Sequence, residues 1–373
     1  MDKGPNELQQ FACRIRIETI RALGVMGSGH IGGAMSMADL MAVLYGKVLN
    51  VDPQDPQKED RDWVVISKGH SGPSLYAALA LRGYFPVEEL ATINKPGPRL
   101  PSHCDRNKTP GVDISTGSLG QGISTAIGVA LGNRMKGLDS YTYLVLGDGE
   151  CQEGQVWEGA LFAPQHKLDH LIAFVDFNKK QLDGFTEDIC SLGDIARKFR
   201  DFGWFTQQVD GNDIDQLLAA IALAKENQGC PSMIVMDTIK GKDCLFAENV
   251  FYNHHMSFTP QQVDEAIEAL SVKLEALRKE AESIEMRKVF AETMTEMARR
   301  DPRVLYMDCD LMNSIGMVPF SKEFPERTIN CGIQEANMIG IAGGLSATGM
   351  IPYVHTFGVF ASRRAADQVF LSA

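Results

Sequence analysis

Two apolar runs that both end in polar turns constrain the fold of this chain more than any other feature. Residues 141–149 (YTYLVLGDG) lead a continuous apolar run into Gly-Asp-Gly, and residues 170–178 (HLIAFVDFN) lead a second into Asp-Phe-Asn. Such runs are typical of parallel strands that helices cover on both faces. Ligands in these sheets bind at the carboxyl ends of the strands. We therefore expect both polar turns to face one crevice.

Further apolar runs alternate with helical patterns along the chain. The patterns predict helices over residues 7–26, 35–49 and 74–84, strands over 63–70 and 231–241, and a glycine-rich loop over 28–33. Strands that alternate with helices imply parallel pairing through right-handed crossovers. The sequence therefore predicts an α/β protein with a parallel sheet.

The length of the chain and a change in its character near residue 260 predict two domains. A chain of 373 residues exceeds one ordinary core. Residues 258–285 are charged and lack glycine, which fits either a helix that leads into a linker or a surface helix of the first domain. A second α/β pattern starts at Met286 and stops inside a helical pattern without a capping signal. We predict domains over 1–275 and 286–373, the second incomplete, with a linker over 276–285.

Charge and cysteine usage narrow the possible partners and the cellular compartment. The net charge of −12 argues against nucleic acid as the main partner. The eight cysteines are scattered and form no C-x-x-C pair, which favours a reduced protein. The start of the chain, MDKGPNELQQ, has no apolar signal core, and no apolar run reaches the roughly 18 residues of a membrane span. We expect a cytoplasmic protein without nucleic-acid or membrane partners.

The two polar turns carry the residue types that hold a hard cation beside a phosphate. Glycines on both sides of Asp148 let the backbone approach a diphosphate, and Asn178 follows the next apolar run. Magnesium prefers oxygen ligands, so a carboxylate, an amide oxygen and a backbone carbonyl near Lys180 suit it, or suit Ca²⁺. Gly-Asp-Gly alone is equally compatible with a plain turn, and it is the spacing to Asn178 that favours a metal site.

Six motifs in a fixed order extend this pattern and resemble the thiamine-diphosphate-dependent transketolases. They are SGHIGG (28–33), SKGHSGP (67–73), STGSLGQGIS (115–124), GDGECQEGQVWEG (147–159), FNKKQLDG (177–184) and TIKGKDCLFAENV (238–250). The resemblance implies a parallel-sheet thiamine-diphosphate-binding fold. It also implies a diphosphate-binding domain over 1–275, part of a pyrimidine-binding domain over 286–373, and transfer of a two-carbon ketol unit between sugar phosphates.

The resemblance assigns roles in the first domain by motif position. It places the metal on Asp148, Asn178 and the Lys180 carbonyl. The expected cofactor contacts are Asn178 itself, His70, Gly117, Leu119, Gly149, Glu153 and His254, with Glu153 linking two active sites across a dimer interface. Where the family has Trp-His-Gly, this chain has Asn253-His254-His255. Either His254 or His255 therefore takes the role of the histidine at the cofactor.

Three histidines, one of them the His70 named above, lie in loops rich in glycine, serine or proline. His30, His70 and His103 are expected to bind substrate hydroxyls or exchange protons with them, since imidazole does so near neutral pH. A single histidine is more often a packed or surface residue, but the clustering in cofactor motifs favours a catalytic role. With His254 and Glu335 they form the predicted catalytic set.

The second segment carries the remaining predicted site residues. Glu335, in GIQEANM, resembles the family's glutamate that bonds the pyrimidine ring of the cofactor. Asp310, Phe357 and Phe360 match positions on the cofactor side, and Arg287 and Ser314 match positions that hold a sugar phosphate. Arginine suits phosphate through its planar fork of donors.

The resemblance also implies partners and leaves alternatives open. It implies a homodimer with the active site at the subunit interface, because the glutamate comes from the other subunit. Compared with the family, the sequence predicts either a fragment of a longer enzyme, a subunit that pairs with a separate chain carrying the C-terminal region, or a non-catalytic cofactor-binding protein. Another thiamine diphosphate enzyme, such as a deoxyxylulose-phosphate synthase type, is the alternative reaction.

Overall fold

The computed structural model describes residues 4–97, 99–282, 286–358 and 360–361. The strands are β1 (Ser28–Gly29), β2 (Trp63–Ile66), β3 (Thr142–Gly147), β4 (Leu171–Phe177), β5 (Phe205–Asp210), β6 (Ser232–Asp237), β7 (Met256–Ser257), β8 (Val304–Asp308), β9 (Thr328–Asn330) and β10 (Ile351–His355). The α-helices are α1 (Pro5–Gly24), α2 (Ile31–Ser36), α3 (Ala38–Val43), α4 (Gly72–Arg82), α5 (Gly122–Met135), α6 (Gly154–Gln165), α7 (Thr186–Cys190), α8 (Ile195–Asp201), α9 (Ile214–Glu226), α10 (Pro260–Glu282), α11 (Met286–Arg300), α12 (Val318–Glu323) and α13 (Glu335–Ala347). Of the described helices, none is both long and apolar enough to cross a membrane.

The main sheet has five parallel strands in the order β2-β3-β4-β6-β5. Alternate residues of β3 and β4 enter two separate hydrophobic cores: Tyr143 and Phe174 lie in one, and Leu144 and Val175 in the other. A strand turns successive side chains to opposite faces, so a continuous apolar run buries both faces under helices. The predicted α/β fold with a parallel sheet is confirmed.

Several predicted elements differ from the observed ones. The predicted glycine-rich loop over 28–33 is wrong at both ends, because Ser28–Gly29 form β1 and α2 begins at Ile31. The helix over 35–49 is broken into α2, α3 and a π-helical turn over Leu44–Val48. There, a β-carbon on Gly46 would lie 2.5 Å from the Leu8 side chain, so close packing against α1 accompanies the irregular turn.

Strands β1 and β7 form a two-stranded ribbon that is separate from the main sheet. β1 and β7 pair antiparallel, with Ser28 opposite Ser257 and Gly29 opposite Met256. The backbone N–H of Phe258 donates to the Gly27 carbonyl at 2.9 Å, which extends the pairing by one bond. The ribbon joins two segments that are more than 200 residues apart in the sequence.

The chain divides into two compact units, Met1–Arg278 and Lys279–Ala373. The second unit has a parallel sheet in the order β10-β8-β9, and apolar residues pack on both faces of β8. Helix α10 continues to Glu282, so residues 276–282 of the predicted linker are helical. Residues 283–285 and the predicted unfinished helix at the end of the chain lie outside the described residues.

Candidate active site

A cavity of about 460 Å³ lies at the carboxyl ends of the central strands. Gly147 ends β3, Asn178 directly follows β4, and both line the cavity, so the two polar turns do face one crevice. The cavity is also lined by most of the residues predicted for the cofactor and metal in the first unit: His70, Leu119, Asp148, Gly149, Glu153, Asn178, Lys180 and His254. The crossover connections of a parallel sheet bring these distant segments together.

The predicted metal ligands present oxygen atoms in an environment that favours a cation. Asp148 is only 2% exposed, and its carboxylate accepts N–H bonds from Gly149 at 2.8 Å and Lys179 at 2.5 Å. Burial raises the pKa of Asp148 to about 6, and the neighbouring Asp176 carboxylate adds to this. A bound cation would stabilise the charged form of such a buried carboxylate. Among the described residues no three His, Cys, Asp or Glu side chains form a metal-binding group, so a cation here needs amide and carbonyl oxygens as well.

Two buried lysines supply positive charge to the cavity wall. Lys68 and Lys240 line the cavity and are 1% and 4% exposed. The Lys240 ammonium donates to the Lys180 carbonyl at 2.6 Å and lies 3.2 Å from Nδ1 of His254. Burial lowers the pKa of Lys240 to about 8, while the Asp148 carboxylate opposes the change. The Lys68 ammonium is paired with the buried Asp176 carboxylate, so Lys240 and the glycine backbone are the groups of this wall that suit the anionic end of the predicted cofactor.

A buried network around Asp176 orients the Asn178 amide. The Asp176 carboxylate accepts from Ser36 at 2.7 Å and from the Asn178 amide nitrogen at 2.8 Å, and it pairs with Lys68. Burial acts to raise the pKa of Asp176, but the Lys68 ammonium outweighs burial and holds it below the usual range. The amide oxygen accepts the Lys180 backbone N–H at 3.2 Å, and an amide oxygen has a second lone pair that suits a cation.

Glu150 ties the glycine-rich turns into one unit. Its carboxylate accepts the backbone N–H of Gly120 at 2.8 Å and of Gly147 at 2.9 Å, together with the Ser67 hydroxyl. Three of the motifs therefore share a single buried acceptor. Gly117 lies in the same region with φ of 135°, and a β-carbon there would lie 2.9 Å from the His103 ring. A side chain at Gly117 would therefore both strain the backbone and displace His103.

Five histidines cluster at the cavity and its mouth. The ring centroid of His30 lies 5.5 Å from His70, 5.6 Å from His103, 5.4 Å from His254 and 4.8 Å from His255. His70 and His254 are 4.7 Å apart. All the predicted catalytic histidines therefore meet in one place, and His254 rather than His255 lines the cavity itself.

Burial keeps the inner imidazoles neutral at physiological pH. Burial, reinforced by His255, His103 and Lys240, lowers the pKa of His30 to about 4. Burial and then Lys240 lower the pKa of His254 to about 3, and burial and then Lys68 lower the pKa of His70 far below its ordinary value. A neutral imidazole carries one donor and one acceptor nitrogen, which suits hydrogen bonding to sugar hydroxyls.

These shifts predict a pH dependence of stability with a defined sign. Between pH 6.5 and about 4 the unfolded chain protonates His30 while the folded chain does not. The unfolded state then binds more protons, so this contribution to stability falls as pH falls through that window. The direct check is NMR titration of the His30 ring, assigned with His30→Gln, and the expected midpoint is near 4. A midpoint above about 6 would contradict it, since a free histidine titrates near 6.5.

The predicted site residues of the second unit do not all share one cavity among the described residues. Arg287 and Ser314 line one cavity of about 680 Å³, and an Arg287 guanidinium nitrogen donates to the Ser314 carbonyl at 2.8 Å. Glu335 begins α13 and is 4% exposed, and Asp310 follows β8 with φ of 63° and accepts from the Asn330 amide at 3.2 Å. The rings of Phe357 and Phe360 lie 6.0 Å apart. Their assigned roles stay predictions.

Sequence reasoning missed three groups that line the cavity: Lys68, Glu150 and Lys240. All three lie inside the quoted motifs, so the motifs themselves were the signal. A lysine in a glycine-rich loop is ordinarily a surface residue, and only the fold shows that these two are buried. His255, the alternative that the sequence left open beside His254, contacts His30 and does not line the cavity.

Comparison with known proteins assigns the chain to a family. Residues 8–299 match the family described as transketolase, thiamine diphosphate binding domain, and residues 282–373 match the transketolase pyrimidine binding domain. The chain is 48% identical over 264 residues to a protein from Clostridium sp. (strain MSTE9) named 6-deoxy-6-sulfo-D-fructose transketolase subunit SqwG, covering 71% of this chain and 96% of that protein. It is 31% identical over 395 residues to transketolase of Homo sapiens, covering 98% of this chain and 63% of the human protein.

Solved structures agree with this assignment. A transketolase from Leishmania mexicana superposes with a TM-score of 0.65 at 27% identity, covering 100% of this chain and 67% of that one. A transketolase mutant from Pichia stipitis in complex with fructose 6-phosphate gives a TM-score of 0.65 at 25% identity, covering 100% of this chain and 67% of that one. The fold is the thiamine-diphosphate-binding fold, and the chain belongs to the transketolase family.

Proposed function

We propose that this chain takes part in transfer of a two-carbon ketol unit between sugar phosphates, with thiamine diphosphate and a divalent cation, Mg²⁺ or Ca²⁺, as cofactors. The observation that carries the proposal is the single cavity that joins Asp148, Asn178 and Lys180 with two buried lysines and two histidines. Oxygen ligands for a cation, positive charge for a diphosphate and neutral imidazoles therefore meet at the carboxyl edge of the main sheet. The predicted cytoplasmic location belongs to the same proposal.

The cofactor-binding step follows from the chemistry of the cavity wall. The Asp148 carboxylate, the Asn178 amide oxygen and the Lys180 carbonyl would hold the cation, and Gly149 would approach the diphosphate. Lys240 would offset part of the remaining phosphate charge. Thiamine diphosphate, when bound, supplies the carbon nucleophile and the electron sink that cleavage beside a ketose carbonyl needs.

The histidines would bind the sugar. His70 and His254 line the cavity as neutral imidazoles, so each would donate one hydrogen bond to a sugar hydroxyl and accept another. His30 and His103 lie within 5.6 Å of each other at the same cluster and would bind hydroxyls further along the sugar. Arg287 and Ser314 share one cavity, and we assign them to the phosphate end of the substrate.

We further propose that the working form is a homodimer, or a complex with a separate chain. Glu335, Asp310, Phe357 and Phe360 of a second chain would then complete the cofactor site, and Glu153 would link the two sites. The name of the Clostridium relative describes it as a subunit, which supports testing the chain both alone and with a partner polypeptide.

The same relative suggests a second donor to test. Its name gives 6-deoxy-6-sulfo-D-fructose as its substrate. A sulfonate and a phosphate are both anions that accept charge-assisted hydrogen bonds from arginine, so Arg287 suits either group. We therefore include the sulfonated ketose beside xylulose 5-phosphate and fructose 6-phosphate as candidate donors.

The test is a transfer assay on the full chain with thiamine diphosphate and Mg²⁺. Ribose 5-phosphate serves as the acceptor for each donor. From at least one donor we expect a ketose two carbons longer than the acceptor, together with an aldose two carbons shorter than the donor. A parallel reaction with pyruvate as donor examines the synthase-type alternative. Tight cofactor binding without any transfer, alone or with a partner chain, would contradict the proposed reaction and favour a non-catalytic binding protein.

A further inference from the structure

The β1–β7 ribbon places His255 directly beside His30. Gly29 pairs with Met256 in antiparallel register, so the next position along the ribbon brings His30 opposite His255. Their ring centroids are 4.8 Å apart, with the ring planes at 79°. This edge-to-face contact follows from the backbone pairing of the ribbon.

The backbone before His255 is held by hydrogen bonds and close packing, just as the ribbon holds the backbone after it. The buried Asn253 amide donates to the carbonyls of Lys240 at 3.0 Å and Ala247 at 2.8 Å. On the other side, a β-carbon on Gly32 would lie 2.2 Å from the Asn253 carbonyl oxygen, so the two backbones are in close contact. His255 therefore projects from a fixed backbone.

His255 stands at the outer end of a series of imidazoles. His70 and His254 line the cavity, His30 contacts both of them, and His255 contacts His30 and is exposed to solvent. Toward the residues that the structure describes, the His255 ring makes contact with His30 but no hydrogen bond. Its ring nitrogens are thus free to meet a ligand that enters past His30.

We propose that His255 is a specificity-determining residue that, together with His30, binds the hydroxyl-bearing chain of the sugar outside its reacting carbons. The proposal rests on the proposed function of this cavity. An imidazole has a donor and an acceptor nitrogen in either tautomer, and a hydroxyl also both donates and accepts. Two imidazoles fixed side by side at the cavity mouth therefore suit an acyclic, polyhydroxylated chain.

The first test compares variants that separate hydrogen bonding from ring packing. His255→Phe keeps a ring against His30 but removes both nitrogens, whereas His255→Gln keeps a donor and an acceptor. With xylulose 5-phosphate as donor, we expect His255→Phe to raise KM for ribose 5-phosphate about three- to tenfold, which is the loss of one hydrogen bond. We expect His255→Gln to stay within about twofold of the unchanged chain.

Two controls separate this role from a structural one. The cofactor dissociation constant and kcat should stay within about twofold in His255→Phe, because the residue does not line the cofactor cavity. His166→Gln changes an exposed histidine that stacks on Phe162 away from the cavity, and it should leave every constant unchanged. An unchanged KM in His255→Phe for all sugars tested would overturn the proposal.

A binding measurement tests the proposal even when no turnover occurs. The full chain, labelled with ¹⁵N in its histidine rings, is titrated with ribose 5-phosphate, and His255→Gln identifies the His255 signals. We expect those signals to shift with ligand, and a shift without transfer would sink the proposed reaction while supporting the role of His255. Signals that stay in place at saturating sugar would overturn the inference about His255, whatever the transfer assay shows.

Discussion

Replacing Asp148 by alanine is expected to weaken metal-dependent binding of thiamine diphosphate by more than about 100-fold. Removing a group that only hydrogen-bonds a metal ligand already costs roughly 10- to 100-fold in metal affinity. Asp148 is itself a predicted ligand, and the only carboxylate among the three, so its loss should cost more. Asp148 is buried in the cavity wall, and burial disfavours its charged form unless a cation is bound. Isothermal titration of the full chain with the cofactor, with and without Mg²⁺, measures the change.

A surface aspartate provides the matched control for this experiment. Asp201 ends α8, is exposed, and has only a 3.8 Å contact with Arg197, so Asp201→Ala should leave cofactor binding unchanged. Asp148→Ala that binds the cofactor as tightly as the unchanged chain, with the same dependence on Mg²⁺, would show that the metal site lies elsewhere. Asp148→Asn is a useful third variant, because it keeps an oxygen ligand but removes the charge.

Replacing Lys68 by methionine is expected to lower the free energy of unfolding of the first unit by about 3–5 kcal/mol, the usual cost of leaving a buried charge unpaired. Lys68 and Asp176 are 1% and 0% exposed, so water cannot take over when the ammonium is removed. The remaining donors to the Asp176 carboxylate are neutral hydroxyl and amide groups.

Urea unfolding followed by tryptophan fluorescence measures the free energy of unfolding of the first unit. The three tryptophans of the chain, Trp63, Trp157 and Trp204, all lie in the first unit. Lys179→Met is the control, because Lys179 pairs with Asp237 at 2.6 Å with both side chains 48% exposed, and such pairs contribute less than about 1 kcal/mol. Equal midpoints for the two variants would mean that the buried pair is not what stabilises this region.

The fold and the ends of its central strands could be predicted because the determining signals are local. The continuous apolar runs of β3 and β4 require burial on both faces, and the polar residues that end them must then lie at one edge. Strand β5 was missed because its sequence, FTQQVD, forms a half-exposed edge strand without a long apolar run. Its strand conformation depends on the parallel pairing with β6, which its own sequence does not reveal.

By itself, the sequence determined which residue types lie at the strand ends, because apolar runs and glycine turns depend only on residues that are adjacent in the chain. Only the tertiary structure decided that Lys68 and Lys240 are buried in the cavity wall and that His255 reaches His30. Those facts depend on crossovers of the sheet and on a ribbon between segments far apart in the chain. Burial, and with it the lowered pKa of Lys240, His30 and His254, depends on the neighbours that the fold brings together.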